Sequence, residues 1–139
     1  MGEADNMRDL LKAEVVPLLR EMGFRGSFPH FNRERGDHVD LVWFTFSSAG
    51  TSFAVELSFA DSARTNVRCN PDAAPGQLRV ASTTQRHRLG AGEAMDHWYA
   101  FVGVPWRGMA GHPDDLVADV KRRLPLEGEE WWRAQGGAS

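Results

Sequence analysis

Two apolar runs joined by the small residues Ser48, Ala49 and Gly50 constrain this chain more than anything else in it. Val39 to Ser47 is apolar on both parities, with Val39, Leu41 and Trp43 on one and Val42, Phe44 and Phe46 on the other. A strand that is apolar on both faces has to be covered on both, so the pattern predicts a central strand. Thr51 to Ala60 alternates instead: Phe53, Val55, Leu57 and Phe59 fall on one face, Glu56 and Ser58 on the other. That alternation predicts a strand with its phenylalanine face inward and Glu56 and Ser58 outward. Ser27 to Arg33 precedes the pair. With short turns at Glu34–His38 and Ser48–Gly50, the three runs read as an antiparallel meander. Pro29 cannot donate to a strand ladder, which suits the first run only to an edge or a bulged strand.

Helical spacing brackets this sheet. Asp5 to Met22 repeats Met7, Leu10, Leu11, Val15, Leu18, Leu19 and Met22 at three- and four-residue intervals, with Gly23 placed to end the helix and Pro17 placed to kink it. Pro113 to Leu124 has Pro in its first turn, Asp114 and Asp115 at the positive end and Lys121, Arg122 and Arg123 at the negative end. Pro125 is expected to stop it. Glu127 to Gln135 then forms a short terminal helix whose Trp131-Trp132 pair docks on the body, and Gly136 to Ser139 should fray.

Between these parts the signals weaken. Asp61 to Gln77, with Asn70-Pro71 and Pro75-Gly76, reads as a long loop of the kind that is often functional or mobile. Leu78 to Thr83 and Arg86 to Leu89 read as one broken strand, His97 to Val104 as another ended by Pro105, and Gly103 to Gly111 as turns. The sum is an α+β fold: an antiparallel sheet of four to six strands with an N-terminal helix and one or two C-terminal helices packed on it. One domain over residues 1–139 is expected, with an ordered core of about 7–133, since 139 residues suffice for a single core.

Apolar residues at 42% and charged residues at 25% match ordinary soluble proteins. A net charge of −3 gives no reason to expect nucleic acid or an anionic membrane as partner. The lone Cys69 excludes an intramolecular disulfide framework and a cysteine zinc knuckle. With no signal-like apolar segment behind Met1 and no run near the ~20 residues of a membrane helix, a cytoplasmic protein is expected.

Chemistry is densest at Arg86-His87-Arg88-Leu89-Gly90 and Asp96-His97-Trp98-Tyr99. Arg86, His87, Arg88 and His97 supply donors for an anion, while Asp96 beside His97 suggests an oriented imidazole acting as general base. Against this stands a structural reading, in which Arg88 and Asp96 pair to close a turn around Gly90 and Gly92. The structural reading carries more weight, because neighbours on a strand point to opposite faces. His30, His38, His87, His97 and Asp96 show no local metal-ligand spacing, so no metal or other cofactor is expected. Serines and threonines occur without a nucleophile-elbow context, and no catalytic residue is assigned. Arg35-Gly36-Asp37 reads as a hairpin turn. Trp106 beside Arg107, in a turn-rich segment, has the composition favoured at binding hot spots.

Met22-Gly23-Phe24 with Phe28 and Phe31, Asp40 to Phe46, Phe53 to Leu57, Arg88-Leu89-Gly90, Asp96-His97-Trp98 and Trp131-Trp132 occur in an order that resembles the bacterial domain of unknown function 4304 family. The resemblance covers about Leu10 to Arg133. It implies a small α+β cytoplasmic protein and carries over no catalytic residues. The resulting expectation is a non-enzymatic protein-binding module that uses an edge strand or the loops around Arg64–Arg68 and Arg86–Arg107. By analogy of size and class, an immunity- or antitoxin-like protein is one version. A homodimer is left open. The competing expectation is a small-molecule, anion-binding or hydrolase-type site built on Arg88, Asp96 and His97.

Overall fold

A computed structural model describes residues 2–92 and 96–135. The amphipathic N-terminal run divides where Pro17 withholds its backbone donor: α1 spans Glu3–Glu14 and α2 spans Val16–Glu21, with Pro17 in its first turn. The C-terminus of α2 closes as the sequence predicts. Gly23 adopts φ 97°, its N–H donates to Arg20 O at 3.0 Å and Phe24 N–H reaches back to Leu19 O at 2.9 Å. These two bonds satisfy carbonyls that the helix end would leave open.

The run around Pro29 is two strands rather than one. β1 (Arg25–Ser27) and β2 (His30–Arg35) form a tight hairpin, and Phe28-Pro29 is its turn. Pro29 therefore lies outside the ladder, where its missing N–H costs nothing. β3 (His38–Phe46) and β4 (Ser52–Ala60) complete the meander, with Val42 opposite Leu57 and Trp43 opposite Glu56. Three short strands follow: β5 (Arg86–Arg88), β6 (Trp98–Ala100) and β7 (Gly108–Ala110). The order is β1-β2-β3-β4-β6-β7, and β5 also pairs with β4. One edge of β4 is thus shared: β5 takes Glu56 to Ser58, and β6 takes Ser52 and Phe53. All pairings are antiparallel except β6 with β7. Seven strands exceed the expected four to six because β1 and β7 are three-residue pieces containing glycine, too short for alternation to register.

Both faces of the central strands are covered. On one, α1, α2 and the C-terminal helices pack over Phe31, Val42, Phe44, Phe53, Val55, Leu57 and Phe59. On the other, the segment 61–83 folds down and buries Val67, Leu78 and Val80 against Val39, Leu41 and Ala60. Every residue of β4 is buried, including the expected outward pair Glu56 and Ser58. The long loop is a lid on the sheet. Leu78 to Thr83 is not a strand but carries a 3₁₀ turn, Val80–Ser82, that sets Val80 into this second core.

The C-terminal helix does not stop at Pro125. α3 (Pro113–Arg123) runs through a π-helical turn, Leu124–Gly128, into α4 (Glu129–Gln135). Widening the turn lets the chain pass a residue that cannot give its N–H to the α-helical ladder. Trp132 is fully buried among the core residues and donates Nε1–H to Ser58 O at 2.9 Å. Asp40, with no exposure, accepts from Arg33 and Arg35, and Arg33 also binds Glu129 of α4. No helix among the described residues is long and apolar enough to cross a membrane. Gly136 to Ser139 lie outside the described residues.

Candidate functional site

Register alone divides the residues singled out in the sequence. His87 stands opposite Leu57, whose side chain is in the helix-face core, while Arg86 and Arg88 stand opposite Ser58 and Glu56. Alternation therefore sends His87 to the helix face and both arginines to the loop face. His97 lies on the helix face, edge-on to Tyr99 at 4.7 Å and packed on Gly90. Gly90, at φ 87°, leaves the space that the imidazole occupies, since a Cβ there would come within 2.8 Å of the ring. Arg88 and Asp96 pair at 2.9 Å on the opposite side of the sheet. The expected convergence of Arg88, Asp96 and His97 in one pocket does not form, because the sheet separates His97 from the other two.

The helix face holds a polar network that the sequence did not disclose as one. The π-helical turn brings Glu127 over β5, where its Oε2 accepts from His87 Nε2 at 2.6 Å and from Gly90 N at 2.9 Å. Its other oxygen accepts from Arg123 at 3.1 Å, and Arg123 Nε donates to Asp119 at 2.8 Å. Asp119 also pairs with Arg122 and accepts from the buried Tyr99 hydroxyl at 2.8 Å. Burial alone would raise the Glu127 carboxyl pKa. The hydrogen bonds from His87 and Gly90 outweigh it and hold the group below its ordinary range. Burial likewise opposes ionisation of Asp119, and its bonds from Tyr99 and Arg123 prevail. Tyr99 is pushed well up by burial and by Asp119. The His97 pKa is lowered, first by burial and then by Arg123, and its Nε2 finds no hydrogen-bond partner among the described residues. One signal was available in the sequence: Asp119, Arg123 and Glu127 fall at four-residue intervals, as on one helix face.

Apart from the Nε2 of His97, these groups satisfy one another. A general base needs access to a substrate proton; three hydrogen bonds already engage the Glu127 carboxylate, and the His97 ring sits against Gly90 and Tyr99. Among the described residues no group of three or more His, Cys, Asp or Glu side chains could hold a metal. The network ties α3 to β5 and β6.

On the loop face, β2 to β5 place His30, Trp43, Glu56 and Arg88 in one cross-strand row. His30 stacks on Trp43 at 5.9 Å, and Arg88 approaches Glu56 at 3.5 Å and lies over Trp98 at 5.0 Å. Arg86 binds Ala81 O and nears Glu56 at 3.8 Å. Both arginines are engaged by the protein itself, and Arg88 pairs with Asp96.

Beyond β6 the chain changes character. Trp98 N–H donates to Arg107 O at 2.8 Å, and β7 returns so close that a Cβ on Gly108 would stand 2.0 Å from Trp98 O. Between β6 and β7, residues 102–107 are exposed except for half-buried Pro105. Val102, Val104 and Trp106 are three of the four large apolar side chains exposed among the described residues, Val104 at 88% and Trp106 at 85%. Arg107 lies 5.8 Å from the Trp106 ring and makes no ion pair with a described carboxylate.

The family model of the domain of unknown function DUF4304 matches residues 15–119, more than half of the chain. The chain belongs to this family. The DUF4304 match takes in α2, the whole sheet and the β6–β7 loop, and ends inside α3 at Asp119. Glu127, Glu129 and the Trp131-Trp132 pair thus lie beyond the matched DUF4304 span, which is shorter than the resemblance up to Arg133 implied. No curated protein and no solved structure matches the chain significantly.

Proposed function

We propose that this DUF4304 domain is a protein-recognition module that presents the β6–β7 loop to its partner. The observation that carries this is the exposure of Val104 and Trp106, at 88% and 85%, while among the described residues the other large apolar side chains, Val102 and Leu126 apart, are buried or half-buried. Such a cluster loses free energy in water and gains it on docking. A tryptophan with an arginine beside it is the composition that dominates interface energetics. An inhibitor-like protein that plugs the active site of an enzyme is one form such a module takes.

The polar groups favour recognition over catalysis. Arg88, Asp96, His87 and Glu127 are spent on internal ion pairs and hydrogen bonds, while Trp106 and Arg107 are not. The test is capture from native lysate by the tagged full chain, beside Trp106→Ser and the control Leu126→Ser, which alters the fourth exposed apolar residue. A protein retained near stoichiometrically by wild type and control and lost with Trp106→Ser is the expected result. Capture unaffected by Trp106→Ser would refute the assignment of the loop.

A further inference from the structure

The described surface carries a concave groove beside this exposed loop. A groove of about 530 Å³ runs between α1 and the start of α3, floored by Met7, Leu10, Phe101 and Pro113 and rimmed by Glu3 and Asp114. Its volume falls in the range of roughly 300–1,000 Å³ that encloses a compact apolar ligand or side-chain cluster. Phe101 lines this groove and the next residue, Val102, begins the exposed loop. Groove and loop are therefore neighbours on one edge of the molecule.

We propose that the loop's partner is a second copy of this chain, each copy inserting Trp106 and Val104 into the α1–α3 groove of the other. The proposal rests on the reading of the β6–β7 loop as the recognition element and names what it recognises. Three features of the molecule converge on it. The first is chemistry: the loop offers apolar side chains and the groove an apolar floor. The second is charge. Arg107 has no carboxylate partner among the described residues, while the groove rim carries Glu3 and Asp114, and the Asp114 side chain is 75% exposed and met only by His112 at 3.6 Å. The third is adjacency. With loop and groove side by side, a two-fold axis between them satisfies both pairs at once, and the contact closes on itself. A single loop brings one tryptophan, of order 150–250 Å² of buried area, to an interface. Reciprocal exchange doubles it to roughly 300–500 Å² from the tryptophans alone, and the surfaces around loop and groove must supply the rest of the about 1,200 Å² that a stable interface needs.

Sedimentation velocity of the full chain across a concentration series tests this. The expected result is a monomer–dimer equilibrium for wild type and a monomer for Trp106→Ser, whose fold is checked by circular dichroism. Arg107→Glu and Asp114→Lys each raise the dissociation constant about tenfold, since a dimer holds the pair twice. The double variant R107E/D114K restores the charge pairing and recovers most of that loss. A wild type that is monomeric at every concentration overturns self-recognition. If it still captures another protein through Trp106, the recognition loop stands and only its partner changes. A dimer indifferent to Trp106→Ser, with no Trp106-dependent capture, ends both readings. A double variant as weak as the singles rejects the Arg107–Asp114 pairing and with it this docking geometry.

Discussion

Among the described residues, nineteen buried apolar residues on the helix face of the sheet, from Met7 to Trp132, form one continuous core, whereas on the opposite face six form a small one under an irregular segment. The helices bring their own hydrogen bonds and need only apolar contact to stay in place. Segment 61–83 has little regular structure, so it fixes its backbone with side chains. Asn66 donates to Phe59 O at 2.8 Å and accepts from Asp61 N at 3.0 Å, and Arg64 donates to Pro71 O and Ala73 O, each at 2.9 Å. One cover is redundant, then, and the other hangs on a few polar anchors. That difference predicts how each fails.

The largest effect belongs to the helix face. Trp132→Ala removes the biggest fully buried side chain and its bond to Ser58 O, and should cost about 3–5 kcal/mol in denaturant unfolding. A loss below about 1 kcal/mol would mean that α4 is not part of the core. Asp40→Ala comes next, at about 3 kcal/mol, because Arg33 and Arg35 lose the buried carboxylate between them. Asn66→Ala sharpens the comparison at about 1–3 kcal/mol, the cost of leaving buried backbone groups unpaired. Hydrogen exchange should then accelerate across 61–83 while α1 and α3 keep their protection. Equal acceleration in the helices would show the two cores to be one cooperative unit.

Acid probes both faces at once, through one histidine on each. The His97 pKa is lowered by burial and then Arg123, and that of His30 by burial and then Arg79. In the unfolded chain each titrates near 6.5, so below that pH the unfolded state takes up protons that the folded state refuses. Stability is full above about pH 6.5 and falls as the pH drops through it towards the lower folded-state values. Thermal melts of His97→Gln and His30→Gln should each show a shallower fall. A slope unchanged in both would remove these residues as its source. Smallest of all is Trp106→Ser, expected within about 0.5 kcal/mol of wild type, because the side chain is already in water.

The helix face was the legible one. The spacing of Met7, Leu11, Val15 and Leu19 and the alternation of Phe53, Val55, Leu57 and Phe59 are periodic, and periodicity is what a sequence displays directly. The second core escaped because Val67, Leu78 and Val80 are scattered through a segment with no period, so Glu56 and Ser58 read as solvent-facing. The candidate site shows the same limit. Arg88 with Asp96, and the exposed Trp106 with Arg107, were legible as local pairs in the chain. His87 with Glu127 spans forty residues and depends on a widened helical turn that Pro125 disguised as an ending. Separation of His97 from Arg88 followed from strand parity, once β5 and β6 were known to flank the same edge of β4.

The π-helical turn at Leu124–Gly128 also sets how this protein tolerates change in length. An α-helix advances about 100° per residue. Deleting Pro125 itself would let the helix run straight, yet every side chain after it would rotate by about that angle. Trp132 would leave the core and Glu129 would swing away from Arg33, while the local helix itself became more regular. For this segment, indels are therefore far more dangerous than substitutions. Leu126, at 67% exposed, can change to almost anything. The number of residues between Arg123 and Glu129 cannot.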